Sequence, residues 1–111
     1  MGNSKISPTA TIANGASLSG VVGLGAEVSI AVIIMPAAWT AADLTFQGSI
    51  DGTTFYDVYN DAGDEYLIPT AASRIIILNV PLSFFYAKIR SGTTGSPVTQ
   101  AAARTITLIC L

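Results

Sequence analysis

Apolar and polar residues alternate along "DLTFQGSI", with Leu44, Phe46 and Ile50 on one side and Thr45, Gln47 and Ser49 on the other. That period of two predicts a half-buried strand with the apolar set inward. Asp51-Gly52 follows as a hairpin signal, because glycine accepts the positive φ that such turns require. "TTFYDVY" reads as the returning strand, "NDAGDE" as a second turn with Gly63 at its left-handed position, and "EYLIP" as a short strand ended by Pro69.

The same reading extends along the chain. In "EVSIAVIIM", Val28, Ile30, Val32 and Ile34 share one side at period two, and β-branching favours a strand. "SRIIILNV" is apolar on both sides, as expected of a central or doubly covered strand. Phe85, Ala87 and Ile89 alternate with Tyr86, Lys88 and Arg90, which predicts a strand with a charged outer side. "RTITLICL" closes the chain with Ile106, Leu108 and Cys110 on one side. Residues 1–17 are rich in Gly, Ser, Thr and Asn and carry few apolar side chains. They are expected to form an extended arm, with Ile6 and Ile12 as the side chains able to anchor it on a neighbour. A weak first strand is expected near Leu18–Val22. The whole predicts an all-β antiparallel sandwich over residues 18–111 behind an arm at 1–17. The expected core is Val28, Ile30, Val32, Ile34, Leu44, Phe46, Phe85, Ala87, Ile89, Ile106 and Leu108.

Composition narrows the function. Of the 111 residues, 50% are hydrophobic and only 11% charged, against roughly 25% charged in an ordinary soluble domain. A surface partly covered by neighbouring subunits accounts for that deficit, as would a surface coated with Thr, Ser, Asn and Ala; the first is the favoured account, so a homo-oligomer or larger assembly is expected. Lys5, Arg74, Lys88, Arg90 and Arg104 are the only basic residues, too few for a phosphate-tracking groove, so nucleic acid is not an expected partner. No apolar run reaches the roughly 20 residues of a membrane span, and "MGNSKIS" lacks the apolar block of a secretory signal. The single cysteine, Cys110, cannot pair internally and fits synthesis in a reducing cytoplasm.

The chain contains no histidine. The usual general base and the His-dependent nucleophile arrangements are therefore missing, and no zinc or iron–sulfur centre is expected. Asp51, Asp57, Asp61, Asp64 and Glu65 cluster around the two turns. They could in principle supply a glycosidase pair or a calcium site, but Asp populates turns for its own reasons and the ligand order of a calcium loop is not met. No catalytic residue, cofactor or metal is expected. Trp39, Tyr56 and Tyr59 form a candidate stacking platform for a sugar, while Phe46 and Phe55 are assigned to the core and Trp39 to one open end of the sandwich.

"SIDGTTFYDVYN", "SFFYAKIRSG" and "RTITLICL" together resemble the strand order of galactose-binding-like (discoidin-type) jelly rolls. The resemblance covers residues 44–111 and implies a jelly-roll form of the sandwich. The chain departs from that family in lacking paired cysteines and in having Phe55 where Trp is common. In its Ala/Gly/Thr-rich, His-free texture, with "WTAADLTFQGSIDGTTFYDVYNDAGDE" and "YAKIRSGTTGSPVTQAAARTITL", the chain also resembles small virion proteins of tailed bacteriophages. That resemblance implies a structural virion component made in the host bacterial cytoplasm. The expectation is a capsid decoration (cement) protein whose partners are the major capsid protein or other virion proteins. The alternative is a carbohydrate-recognition module or another component of a tail or fibre.

Overall fold

The computed structural model describes residues 6–25 and 28–111. Eight strands follow one another: β1 (Thr9–Ile12), β2 (Val22–Gly23), β3 (Ile30–Ile34), β4 (Leu44–Ser49), β5 (Tyr56–Asp57), β6 (Ile75–Leu82), β7 (Tyr86–Ser91) and β8 (Arg104–Cys110). Among the described residues there is no helix. The strands form two four-stranded sheets, sheet A in the order β1-β8-β3-β6 and sheet B in the order β2-β7-β4-β5. Every neighbouring pair is antiparallel. This is the strand order of an eight-stranded jelly roll, in which the chain crosses from sheet to sheet so that first and last strands pair.

The core lies between the sheets. Ile12, Ile30, Ile33, Ile106 and Leu108 enter it from sheet A, and Leu44, Phe46 and Ile89 from sheet B, all fully buried. β4 and β7 follow the sequence pattern closely: Phe46 pairs with Ile89 and Gly48 with Ala87, so both apolar sets point inward. Gly52 and Gly63 adopt positive φ of 78° and 91°. The first turn is longer than a two-residue hairpin, because pairing resumes only at Gly48↔Tyr56.

Several expectations are corrected. In β3 the register shifts between Ile30 and Val32. This β-bulge inverts the alternation, so Ile33 and Met35 join Ile30 in the core while Val28, Val32 and Ile34 are only half-buried. Phe85 is 42% exposed, because β7 starts at Tyr86 and its phase does not reach back. Phe84 packs against the core instead. Ile50 lies past the end of β4 and is exposed, whereas Thr45 and Ser49 are buried.

β6 is an edge strand rather than a central one. Residues 6–17 are not a free arm either. β1 pairs with β8 from Thr9↔Thr107 to Ile12↔Arg104, and Ile6 exchanges backbone hydrogen bonds with Cys110 at 3.2 and 2.9 Å. The alternation of Thr9, Ala10, Thr11 and Ile12 buries Ala10 and Ile12, which offsets the ordering cost that the polar composition led one to expect would go unmet. The rest of the expected arm, residues 1–5, lies outside the described residues.

Candidate functional site

Because Phe46 and Ile89 face inward, their neighbours Thr45, Gln47, Lys88 and Arg90 face out from sheet B, joined by Asp57 opposite Gln47. This side is not open to water throughout. Thr45 is fully buried and Arg90 is 7% exposed. The Arg90 guanidinium is a hub. Its Nη2 donates to Asp57 Oδ1 at 2.7 Å, and its Nη1 to Glu65 Oε2 at 3.1 Å, Thr94 Oγ1 at 2.8 Å and Thr45 Oγ1 at 3.3 Å. Thr94 Oγ1 in turn donates to Glu65 Oε2 at 2.6 Å. Glu65 and Thr94 come from the loops after β5 and β7, so the network ties two loops to the sheet. The period-two pattern could place Arg90 outward but could not show loops folding back over it.

The acidic turns are stabilised locally. Asp51 Oδ1 accepts from the N–H groups of Thr53 and Thr54 and from Ser49 Oγ at 2.9–3.0 Å. These backbone donors hold its carboxyl below the ordinary carboxylate range. Asn60 Oδ1 accepts from Ala62 N and Asp64 N, closing the second turn. The hydrogen bond from Arg90 holds Asp57 low as well. A glycosidase general acid needs a raised pKa, and the carboxyls of Asp51 and Asp57 are pulled the other way. Among the described residues, no three of His, Cys, Asp or Glu gather as metal ligands. Cys110 is buried in the core, and burial pushes its thiol up, away from the reactive thiolate.

The candidate platform does not share one environment. Tyr56 and Tyr59 are 69% and 55% exposed. Trp39 is half-buried against the core, and its Nε1 donates to Ala42 O at 3.0 Å. Phe55 is not a core residue: its ring receives the Lys88 ammonium at 4.5 Å. Of the candidate assembly contacts, Ile6 is partly exposed, but Ile12 is fully buried in its own domain and cannot meet a partner.

The feature that sequence reading missed is the outer side of sheet A. Register places Ile75, Ile34, Thr107 and Thr9 side by side across all four strands, with Ile77, Val32 and Ile109 in the adjacent row. Thr11 and Thr105 complete it, their hydroxyls 3.2 Å apart. Every side chain in this array is β-branched and none is charged. Ile75 and Ile77 are 64% and 77% exposed. The signal was present in "IIIL", read as a strand covered on both sides; it is apolar on both sides and covered on one. At the rim, β6 and residues 66–69 border a groove of about 520 Å³ lined by Tyr66, Ile68, Ile77 and Val80.

The sequence matches no protein-family model and no curated protein.

Proposed function

We propose that this chain is a structural virion protein, most concretely a capsid decoration protein of a tailed bacteriophage, that works by burying surface against neighbouring subunits. The observation that carries the proposal is the uncharged, β-branched outer side of sheet A, with Ile75 and Ile77 mostly exposed. Monomeric soluble proteins seldom leave a contiguous apolar patch of this kind open, and such patches mark interaction surfaces. On the opposite side of the sandwich the polar groups are engaged with one another, in the Arg90 network and in the two acidic turns, so the chemistry that the outer side of sheet A offers is shape and apolar area. On a symmetric shell many copies would turn modest contacts into strong attachment. The major capsid protein and other virion proteins are the proposed partners. The test is an antibody against this chain applied to purified phage particles: regular immunogold labelling of heads is expected. A chain that stays in the lysate supernatant while particles are unlabelled would overturn the proposal.

The exposure of Tyr56 and Tyr59 on the β5 edge favours one second reading, a carbohydrate-recognition module of a tail or fibre. Saturable glycan binding lost in Tyr56→Ala would support it.

A further inference from the structure

We infer that the outer side of sheet A is a self-association surface, and that its occupant is the same side of a second copy of this chain. The inference deepens the assembly reading above and rests on it only for its biological setting.

Strand propensity explains why these residues are β-branched, since Val, Ile and Thr all suit a pleated surface. It does not explain why two strands differ from the other two. β1 and most of β8 present threonines, which meet the propensity while remaining wettable. β3 and β6 present Val32, Ile34, Ile75 and Ile77, continued by Ile109 of β8. Sheet B is treated differently: loops bring Glu65 and Thr94 over its outer side. Among the described residues nothing comparable covers Ile75 and Ile77, which remain 64% and 77% exposed.

Size and charge select the occupant. Four strands about 4.8 Å apart, each about 13–26 Å long, present a flat projection of roughly 400 Å². Two such sides offer roughly 800 Å² before side-chain relief and rim residues are added, close to the roughly 1,000 Å² that a specific interface requires. A surface with no charge makes no demand for an opposite charge, so an identical surface satisfies it, and flat sheets pack face to face at about 10 Å. A two-fold axis lying between the sheets and crossing the strands sets β3 and β6 of one copy over β3 and β6 of the other. The isoleucines then meet isoleucines, and the threonines lie over threonines.

Sedimentation equilibrium on the purified full chain tests this without any shell present. A dimer in the micromolar range is expected. Ile75→Thr/Ile77→Thr keeps β-branching and should weaken the dimer by roughly tenfold or more, with an unchanged circular dichroism spectrum. Ile50→Thr, at an apolar side chain equally exposed but off this side (76%), should leave it unaltered. In Ile77→Cys, a short bismaleimide should join two copies, the buried Cys110 remaining unreactive. A chain that stays monomeric at about 100 μM, or a double variant as dimeric as the parent, would overturn the inference. Labelling of virions is read separately, so a dimer that is absent from particles would refute the assembly reading alone.

Discussion

Arg90 and Asp57 form a 2.7 Å ion pair although their strands are not neighbours: β4 runs between β7 and β5. The guanidinium reaches over Thr45 of the intervening strand and fastens three strands with one side chain. Arg90→Ala leaves Asp57 and Glu65 without their shared cation in a mostly buried setting. A loss of about 3 kcal/mol is expected, measured by urea unfolding. Glu65→Gln, which keeps a polar partner, should cost about 1 kcal/mol.

Acid should weaken the fold through the same pair. The Asp57 pKa is depressed in the folded state, so the unfolded chain binds more protons as pH falls. The contribution is fully present above the unfolded value near ~4 and is lost as pH drops through the lower folded value. Urea midpoints should be flat from about pH 7 to 5 and fall below about pH 4. Asp57→Asn should make that fall shallower, with Asp51, also held low, supplying part of what remains; an unchanged slope would show that the pair does not contribute to it.

The bulge in β3 makes a sharp prediction about phase. Ile33→Ala should cost about 2–5 kcal/mol, as should Phe46→Ala at the upper end of that range. Val32→Ala and Ile34→Ala, on the half-buried outer side, should each cost less than about 1.5 kcal/mol in the isolated chain. Equal losses at Ile33 and Ile34 would contradict the shifted register.

Gly92 sits at φ 90° where an added Cβ would lie 2.5 Å from Ser96 O and 2.7 Å from Val98 N. Backbone atoms cannot step aside as a flexible side chain could. Gly92→Ala should therefore lower the melting temperature far more than Gly63→Ala, at a similar φ of 91° but with open space around it. Thermal denaturation of the two variants provides the comparison.

Ile12→Ala tests the reassignment of the amino-terminal segment. Its side chain is fully buried, so a loss of about 2–4 kcal/mol is expected. Hydrogen exchange should show Leu108 N, bonded to Pro8 O at 2.9 Å, protected in the isolated chain. A negligible loss, with rapid exchange at Leu108, would restore the free arm.

What could be read from the residues depended on whether polarity marked the inside. In β4 and β7 it did, because Thr45, Gln47, Lys88 and Arg90 separate Leu44, Phe46, Ala87 and Ile89. In "IAVIIM" every position is apolar, so the bulge left no trace and the phase was misread. β6 misled for the same reason, since alternation cannot distinguish a covered strand from one whose outer side is apolar but open. Ile12 was missed because one isoleucine among threonines and alanines gives little local signal; the non-local β8 supplies the pairing. The aromatic residues were legible as a group but not in their placement, which sends Trp39 inward and leaves Tyr56 and Tyr59 out.

β8 follows the other seven described strands in sequence, yet it is an interior strand of sheet A, flanked by β1 and β3. Until residues 104–110 leave the ribosome, β1 has no neighbouring strand to pair with and β3 has only one. Domains with such distant pairings fold slowly, because loop closure precedes the contacts that reward it. Sheet A of this chain is therefore completed only after synthesis reaches the final strand, and a product cut short before Arg104 cannot assemble it. Such a product would leave the Ala10 and Ile12 side chains and the β3 edge open to proteolysis.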